Sequence, residues 1–148
     1  MHEIFGGDPG ETLTLDEYWA EFDERFWQTR APGFWKLERQ QNFQEPSNAS
    51  WRAFAEGRWT ESIQLIQAER GNFIDYYRRI AERGFRTRRV RVVEKPITPY
   101  LQWELHVLLL RHQCGGLTHV VGPDQIARLE QKCPLPEIYT LGHDLMYE

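Results

Sequence analysis

The 148-residue chain lacks most of the features that mark membrane, secreted or disulfide-stabilised proteins. It contains only two cysteines, Cys114 and Cys133, which is too few for a disulfide scaffold and favours a reducing compartment. Its longest aliphatic run extends only from Val107 to Leu110, whereas a helix needs about 20 apolar residues to span a bilayer. The acidic N-terminus has neither the basic flank nor the apolar centre of a secretory signal. These absences predict a cytoplasmic protein with no membrane segment.

The sequence also lacks the short motifs that identify common catalytic and nucleotide-binding sites. It contains neither glycine-rich phosphate-binding pattern, GxxxxGK[ST] or GxGxxG, and neither the HExxH zinc motif nor the GxSxG nucleophile motif. No common zinc spacing is formed by its candidate ligands, which are His112, Cys114, His119 and Cys133. We therefore expect no catalytic residue, no metal and no cofactor. A phosphodiesterase-like enzyme without a recognisable motif is an alternative.

Aromatic residues, by contrast, are abundant. They make up 14% of the chain, although its mean hydropathy is low at −0.65. Disordered chains are poor in aromatic residues, so this content indicates a packed interior. A chain of this length can bury about 70% of its unfolded surface. We expect residues 14–148 to form a single domain after a flexible, acidic segment over residues 1–13, which contains several glycines.

The hydrophobic pattern alternates between helical and strand-like segments. Thr14 and Glu17 have the spacing of a capping box, and apolar residues at helical intervals follow as far as Phe26. A second long helix is expected from Thr60 to about residue 83, in which Gly71 could be a break. Further helices are predicted at 50–57, 100–113 and 123–131, and strands at 34–38, 88–93, 117–121, 138–141 and 145–147. This order predicts an α/β (or α+β) fold, in which a small mixed sheet with crossover helices follows an N-terminal helical segment.

Charge is distributed unevenly along a chain whose net charge is −4. The first 24 residues hold eight acids and no lysine or arginine, whereas the stretch from Arg78 to Arg91 holds seven arginines and one acid, Glu82. The two segments could neutralise each other within the fold. Alternatively, the arginine-rich stretch could bind nucleic acid or a small anion, although the overall acidity disfavours nucleic acid.

Four residues around the second strand have the pattern of a binding site. The strand carries Arg89 and Arg91, and the helix that follows carries Tyr100 and Glu104. Ligands of open α/β sheets lie beyond the carboxyl ends of strands, close to helix N-termini. Arg91 and Glu104 could form a partly buried ion pair that positions Tyr100. The alternative is that the pair is purely structural.

The alternation of side chains along this strand predicts which of them share a face. Val90 and Val92 are expected to pack inward, so that Arg89 and Arg91 face a groove together. Two guanidinium groups repel each other unless a carboxylate or an anion lies between them, and Glu104 is the nearest candidate in the sequence.

Several blocks of the sequence resemble an uncharacterised actinobacterial family, domain of unknown function 6879. They are FWKLE at 34–38, SWRAF at 50–54, RRVRVVEKP at 88–96 and TPYLQWE at 98–104. The likeness covers about residues 34–147. Family members usually continue past the position of Tyr147 into further β structure, so the resemblance implies a C-terminally shortened chain. Members often lie near helix-turn-helix regulators of the Streptomyces developmental type, which implies a regulatory role by association.

The order of elements is also distantly similar to half of a phospholipase D-like fold. Enzymes of that class need a His-x-Lys pair, and none of the five histidines here is followed by lysine two residues later. The resemblance therefore implies no catalysis.

These observations together predict a non-catalytic, cytoplasmic protein-interaction domain in a bacterial regulatory system. Its partner would be a protein, such as a helix-turn-helix regulator encoded nearby. Exposed aromatic residues often dominate interfaces, and the candidates are Trp27, Trp35, Trp51 and Trp59.

Overall fold

A computed structural model describes residues 10–148 of the chain. Most of the flexible segment predicted at residues 1–13 therefore lies outside the described residues. Within them the chain forms six helices and a five-stranded sheet. The helices are α1 (Leu15–Phe26), α2 (Ala49–Ala55), α3 (Trp59–Ala68), α4 (Arg70–Glu82), α5 (Pro99–Gln113) and α6 (Pro123–Ile126). The strands are β1 (Phe34–Glu38), β2 (Thr87–Val92), β3 (Leu117–Val121), β4 (Ile138–Leu141) and β5 (Leu145–Tyr147).

The sheet is mixed and has the strand order β3-β2-β1-β4-β5. β1 pairs with β2 and β2 pairs with β3 in parallel, whereas β4 and β5 extend the sheet as antiparallel strands. The connections between the parallel strands contain helices, α2 to α4 in the first and α5 in the second. The predicted fold class, with a small mixed sheet, crossover helices and an N-terminal helix, is confirmed.

Three helices cover one face of the sheet. Phe34 of β1 and Leu141 of β4 belong to one buried cluster with Phe26 of α1 and Tyr77 of α4. α5 is anchored on the same face by a contact from Glu104 to the second strand. We call this side, which carries α1, α4 and α5, the helical face.

The remaining long elements pack outside α5 rather than on the sheet. Ile66 of α3 lies in a second buried cluster with Leu101 and Trp103 of α5. α2 and α3 are joined by a hydrogen bond of 2.7 Å that the Ser62 hydroxyl donates to the Ser50 carbonyl. α5 is therefore surrounded by protein on several sides, as its apolar sequence predicts. No helix among residues 10–148 is both long and apolar enough to cross a membrane.

The predicted signals for the starts of α1 and α5 are confirmed. Thr14 and Glu17 form the reciprocal capping box at α1. The Thr98 side chain accepts a hydrogen bond from the Leu101 backbone N–H, and Pro99 occupies the first turn of α5. These signals succeed because capping depends on residues only a few positions apart.

The prediction of one long helix beginning at Thr60, with Gly71 as a break, is wrong. The chain forms two helices, and Glu69 rather than Gly71 lies between them. α3 begins after Arg58, so Thr60 lies within its first turn. α3 starts earlier than predicted because the chain reverses direction directly after α2. Gly57, with a φ of +78°, forms this turn and is followed at once by Arg58, the residue that precedes α3.

The helix predicted at 123–131 is shorter than expected, because α6 ends at Ile126. The side chain of Glu130 accepts hydrogen bonds from Arg39 beyond β1 and from the Leu135 backbone N–H. Arg39 also pairs with Glu94, at 2.7 Å. These tertiary contacts hold residue 130 in an irregular connection that runs from β3 to β4.

Gly33 precedes β1 at a point where its backbone lies very close to that of Arg86, and a substitution there tests this close approach. Its φ is +99°, and a Cβ there would lie 2.3 Å from the Arg86 carbonyl oxygen. We expect Gly33→Ala to lower the free energy of unfolding by at least about 1–3 kcal/mol, because both the backbone angle and the close approach exclude a side chain. Gly71→Ala is the control, since Gly71 is helical and a Cβ there meets no atom within 4 Å. Urea unfolding that shows equal stability for the two variants would contradict this account.

The Arg39–Glu130 contact predicts a pH dependence of stability. Hydrogen bonds from Arg39 hold the pKa of Glu130 below its ordinary value of 4.5. The contact therefore stabilises the fold above pH 4.5, and its contribution is lost as the pH falls from 4.5 through the lower native pKa. We expect Glu130→Gln to lower the unfolding free energy by about 1 kcal/mol at neutral pH and to match the unmodified protein in strong acid. Glu24→Gln, on an exposed part of α1, should match it throughout. A Glu130→Gln deficit that persists unchanged in acid would exclude the ionic explanation.

Candidate functional site

β2 places Arg89 and Arg91 on the same side of the sheet, as the alternation predicts. That side is the helical face, and Arg91 is completely buried there. Val90 and Val92 lie on the opposite side, where Val92 is fully buried and Val90 is partly exposed. The expectation that the valines pack inward while the arginines face a groove is therefore met only in part. Val92 is buried and Arg89 borders a cavity. Arg91, however, is enclosed among the helices, and Val90 is partly exposed. The arginines face the main helical layer because their charges are neutralised inside it.

The predicted pair of Arg91 and Glu104 is present and is more deeply buried than expected. The Arg91 Nε donates to Glu104 Oε2 at 2.6 Å, and Glu104 itself is 5% exposed. The Tyr100 hydroxyl lies 3.1 Å from Glu104 Oε1 and 2.7 Å from Glu45 Oε1. Glu104 thus links β2 to the first turns of α5 and holds Tyr100 toward the loop after β1.

Burial is the largest influence on the pKa values of Glu104 and Tyr100. It raises the pKa of Glu104, and the nearby charge of Glu38 raises it further, while Arg91 and Tyr100 act in the opposite direction. Burial and the carboxylates of Glu104 and Glu45 raise the pKa of Tyr100. The Tyr100 hydroxyl is therefore a neutral hydrogen-bond donor between two carboxyl groups.

Arg89 does not share Glu104 with Arg91, which corrects the second part of the prediction. Its Nη1 lies 2.5 Å from Glu38 Oε2, and Lys36 forms an ion pair with the other oxygen of the same carboxylate. Burial alone would raise the pKa of Glu38, but Arg89 and Lys36 outweigh it and lower that pKa. One buried carboxylate therefore serves two cations on the helical face.

Sequence reasoning missed Lys36 and Glu38 as members of this group. The available signal was their spacing, because residues two apart in a strand share a face. Their partners depend on the parallel register, which pairs Lys36 with Arg89 and Glu38 with Arg91 across 51 or more residues of sequence. Arg91 also donates to the Glu38 backbone carbonyl at 3.1 Å.

The arginines between residues 78 and 91 do not form one surface. Arg78 is exposed on α4, where it pairs with Asp75 at 2.9 Å. Arg88 lies on the opposite side of the sheet from the buried Arg89 and Arg91. This division withdraws Arg89 and Arg91 from any positive surface that a nucleic acid could contact.

The zinc ligands considered from the sequence are placed by ordinary local contacts. His112 Nδ1 accepts a hydrogen bond from the Thr118 backbone N–H at 3.2 Å, and Cys114 and Cys133 are both partly buried and free. Across residues 10–148, no group of three or more histidine, cysteine, aspartate or glutamate side chains could hold a metal ion.

Within residues 10–148, no long helix covers the other side of the sheet. The strand register arranges side chains on this side in two rows that run across the strands. We call this side the open face. The first row crosses all five strands at Leu117, Arg88, Trp35, Thr140 and Met146, and the second crosses four of them at His119, Val90, Leu37 and Ile138. Trp35 is 39% exposed and Met146 is 42% exposed. Apart from Arg88, the open face is therefore a broad surface of apolar, aromatic and uncharged polar groups.

A single cation is held at the centre of the open face. The Arg88 guanidinium lies 5.0 Å from the centre of the Trp35 ring, and Arg88 Nη1 donates to the Pro32 carbonyl at 2.8 Å. These two contacts fix the indole and the guanidinium relative to each other. Tryptophan and arginine are the residue types most enriched at the energetic centres of protein interfaces.

Of the other tryptophans considered from the sequence, only Trp59 is comparably exposed, at 41%. It lies on α3, where its ring is 5.6 Å from that of His106. Trp27 and Trp51 are partly buried.

The buried pair can be tested as a structural element separately from any binding role. We expect Arg91→Ala to lower the unfolding free energy by about 3–5 kcal/mol, because it leaves Glu104 buried without a partner. The double variant Arg91→Met/Glu104→Leu should be more stable than Arg91→Ala, since it removes both charges. Arg78→Ala, at an exposed ion pair, should cost no more than about 1 kcal/mol. Chemical denaturation measures all three, and an Arg91→Ala variant as stable as Arg78→Ala would favour a binding role instead.

Comparison with known proteins gives a family but no activity. No curated protein and no solved structure shows significant similarity to this chain. The family model described as Domain of unknown function (DUF6879) matches residues 20–148, which includes β1 through β5 and all but the first turn and a half of α1. Because this match covers most of the chain, the protein belongs to the DUF6879 family of domains of unknown function.

Proposed function

We propose that the protein is a non-catalytic, cytoplasmic protein-interaction domain and that the open face is its contact surface. The observation that carries the proposal is the row from Leu117 to Met146, which crosses the whole sheet and has Trp35 and Arg88 at its centre. A flat surface with one fixed aromatic and cationic pair resembles the central part of a protein interface.

The charge of this surface supports a protein partner over nucleic acid. Arg88 is the only arginine or lysine in the two rows. Binding to phosphate backbones requires several such cations, because each neutralised phosphate contributes to affinity. Most of the positive charge of β2 is instead enclosed and paired on the helical face.

The partner that we propose is a helix-turn-helix regulator encoded beside the protein. Support for this partner comes from the association of similar sequences with such regulators. The setting that we propose is a bacterial regulatory system.

The test is binding of the purified protein to the neighbouring regulator, measured by calorimetry and by light scattering after size-exclusion chromatography. We expect a complex, and we expect Trp35→Glu to weaken it by at least about a hundredfold, the effect of losing an interface hot spot of ~2–3 kcal/mol. Trp59→Glu is the matched control, because Trp59 has almost the same exposure but lies on α3, away from the open face.

Circular dichroism should show that both variants remain folded. A regulator that binds Trp35→Glu as tightly as the unmodified protein would exclude the open face. Absence of any complex with the regulator, together with a monomeric state, would exclude the proposed partner.

A further inference from the structure

A cavity of about 260 Å³ lies on the helical face, on the opposite side of the sheet from the open face. It is enclosed by α1, α4, α5 and the strands β1 to β4. Trp19 of α1 is among its lining residues and is 57% exposed, so the cavity reaches solvent beside α1. The cavity does not depend on the protein-interaction proposal, because the two surfaces lie on opposite sides of the sheet and have only Arg88 and Leu117 in common.

Four basic residues line this cavity, and no acidic residue does. Lys36, Arg89 and Arg111 line it from the helical face, whereas Arg88 lies in β2 with its side chain on the open face. Lys36 and Arg89 share the single carboxylate of Glu38, which lies 4% exposed beyond the lining. The side chains of Lys36, Arg89 and Arg111 therefore bring three positive charges to the cavity, whereas Glu38 supplies one negative charge. A bound anion would balance part of this excess positive charge.

Arg111 is the cation that is best placed for a ligand. Within residues 10–148 no carboxylate lies within 4 Å of its guanidinium. Its position is fixed instead by the Phe73 ring, whose centre is 4.5 Å away, and by a long contact of 3.4 Å to the Tyr77 hydroxyl. A partly buried guanidinium held by rings and a hydroxyl keeps donors free for an oxyanion.

The rest of the wall is mostly aromatic. Six of the rings that line the cavity are those of Tyr18, Trp19, Phe22, Tyr76, Tyr77 and Tyr139. Rings in offset or edge-on contact suit a flat ligand, and four of these rings also carry hydroxyl groups. The volume is below the roughly 300–1,000 Å³ of typical drug-sized sites, so it fits a ligand with one ring.

We propose that this cavity binds a small aromatic anion, a single ring that bears a carboxylate or a phosphate. Arg111 receives the anionic group, Lys36 and Arg89 add positive potential, and the tyrosines enclose the ring. The two anionic groups share one chemistry, an oxyanion on an aromatic ring, and the probes below distinguish them.

The experiment is titration calorimetry of the full chain with four probes. They are 4-hydroxybenzoate, phenyl phosphate, inorganic phosphate and neutral phenol. We expect binding of one or both aromatic anions and at least about tenfold weaker binding of inorganic phosphate and phenol, because each of these lacks half of the recognised ligand. Whichever of the first two probes binds more tightly identifies the anionic group.

Variants locate the site. Arg111→Gln should weaken binding of the aromatic anion by about tenfold or more, the effect of losing a charged hydrogen bond. Thr118→Phe, which directs a ring into the cavity from β3, should block binding without removing a charge. Arg79→Gln is the matched control, because Arg79 also stacks on an aromatic ring, that of Trp27 at 4.4 Å, but does not line this cavity. Trp35→Glu should leave ligand binding unchanged, which separates this site from the open face.

Three results would overturn the proposal. One is the absence of binding by both aromatic anions to the folded, unmodified protein at millimolar concentration. Another is unchanged binding in both Arg111→Gln and Thr118→Phe. The third is inorganic phosphate that binds as tightly as phenyl phosphate, since the aromatic wall would then contribute nothing.

Discussion

The fold depends on enclosing charged side chains of β1 and β2 beneath helices, and the contact between Arg91 and Glu104 is the clearest case. Arg91 has no exposed surface. Burying a guanidinium completely costs a large amount of free energy unless a carboxylate is buried beside it. Glu104 can pair with Arg91 only when α5 lies across β2 at one position along the helix axis. Since buried pairs often add little net stability, we interpret this one as fixing how the helix and strand pack.

This constraint gives the two sides of the sheet different chemistry. The helical face takes α1, α4 and α5, so its charges are paired and a cavity with excess positive charge remains beside α1. In the described part of the chain the open face receives no long helix, and its centre is the fixed pair of Trp35 and Arg88. We therefore propose a protein ligand for one surface and a small anion for the other, with a single sheet between them.

Local signals in the sequence were enough to predict most of the elements. The capping box at Thr14, the proline after Thr98 and the β-branched strands all act over a few residues, so they need no knowledge of the fold. The error at α6 arose because a distant residue decided the outcome. α6 ends early because Arg39, 91 residues before Glu130, binds that side chain.

For the site, the sequence by itself determined that Arg89 and Arg91 share a face and that Glu104 is within reach of one of them. This follows from the two-residue period of a strand and the short turn before α5. Only the tertiary structure decided that the shared face is the covered one and that Glu38 and Lys36 complete the charge network. The physical reason is that the parallel pairing of β1 with β2 joins residues about 50 positions apart, and no local pattern encodes that register.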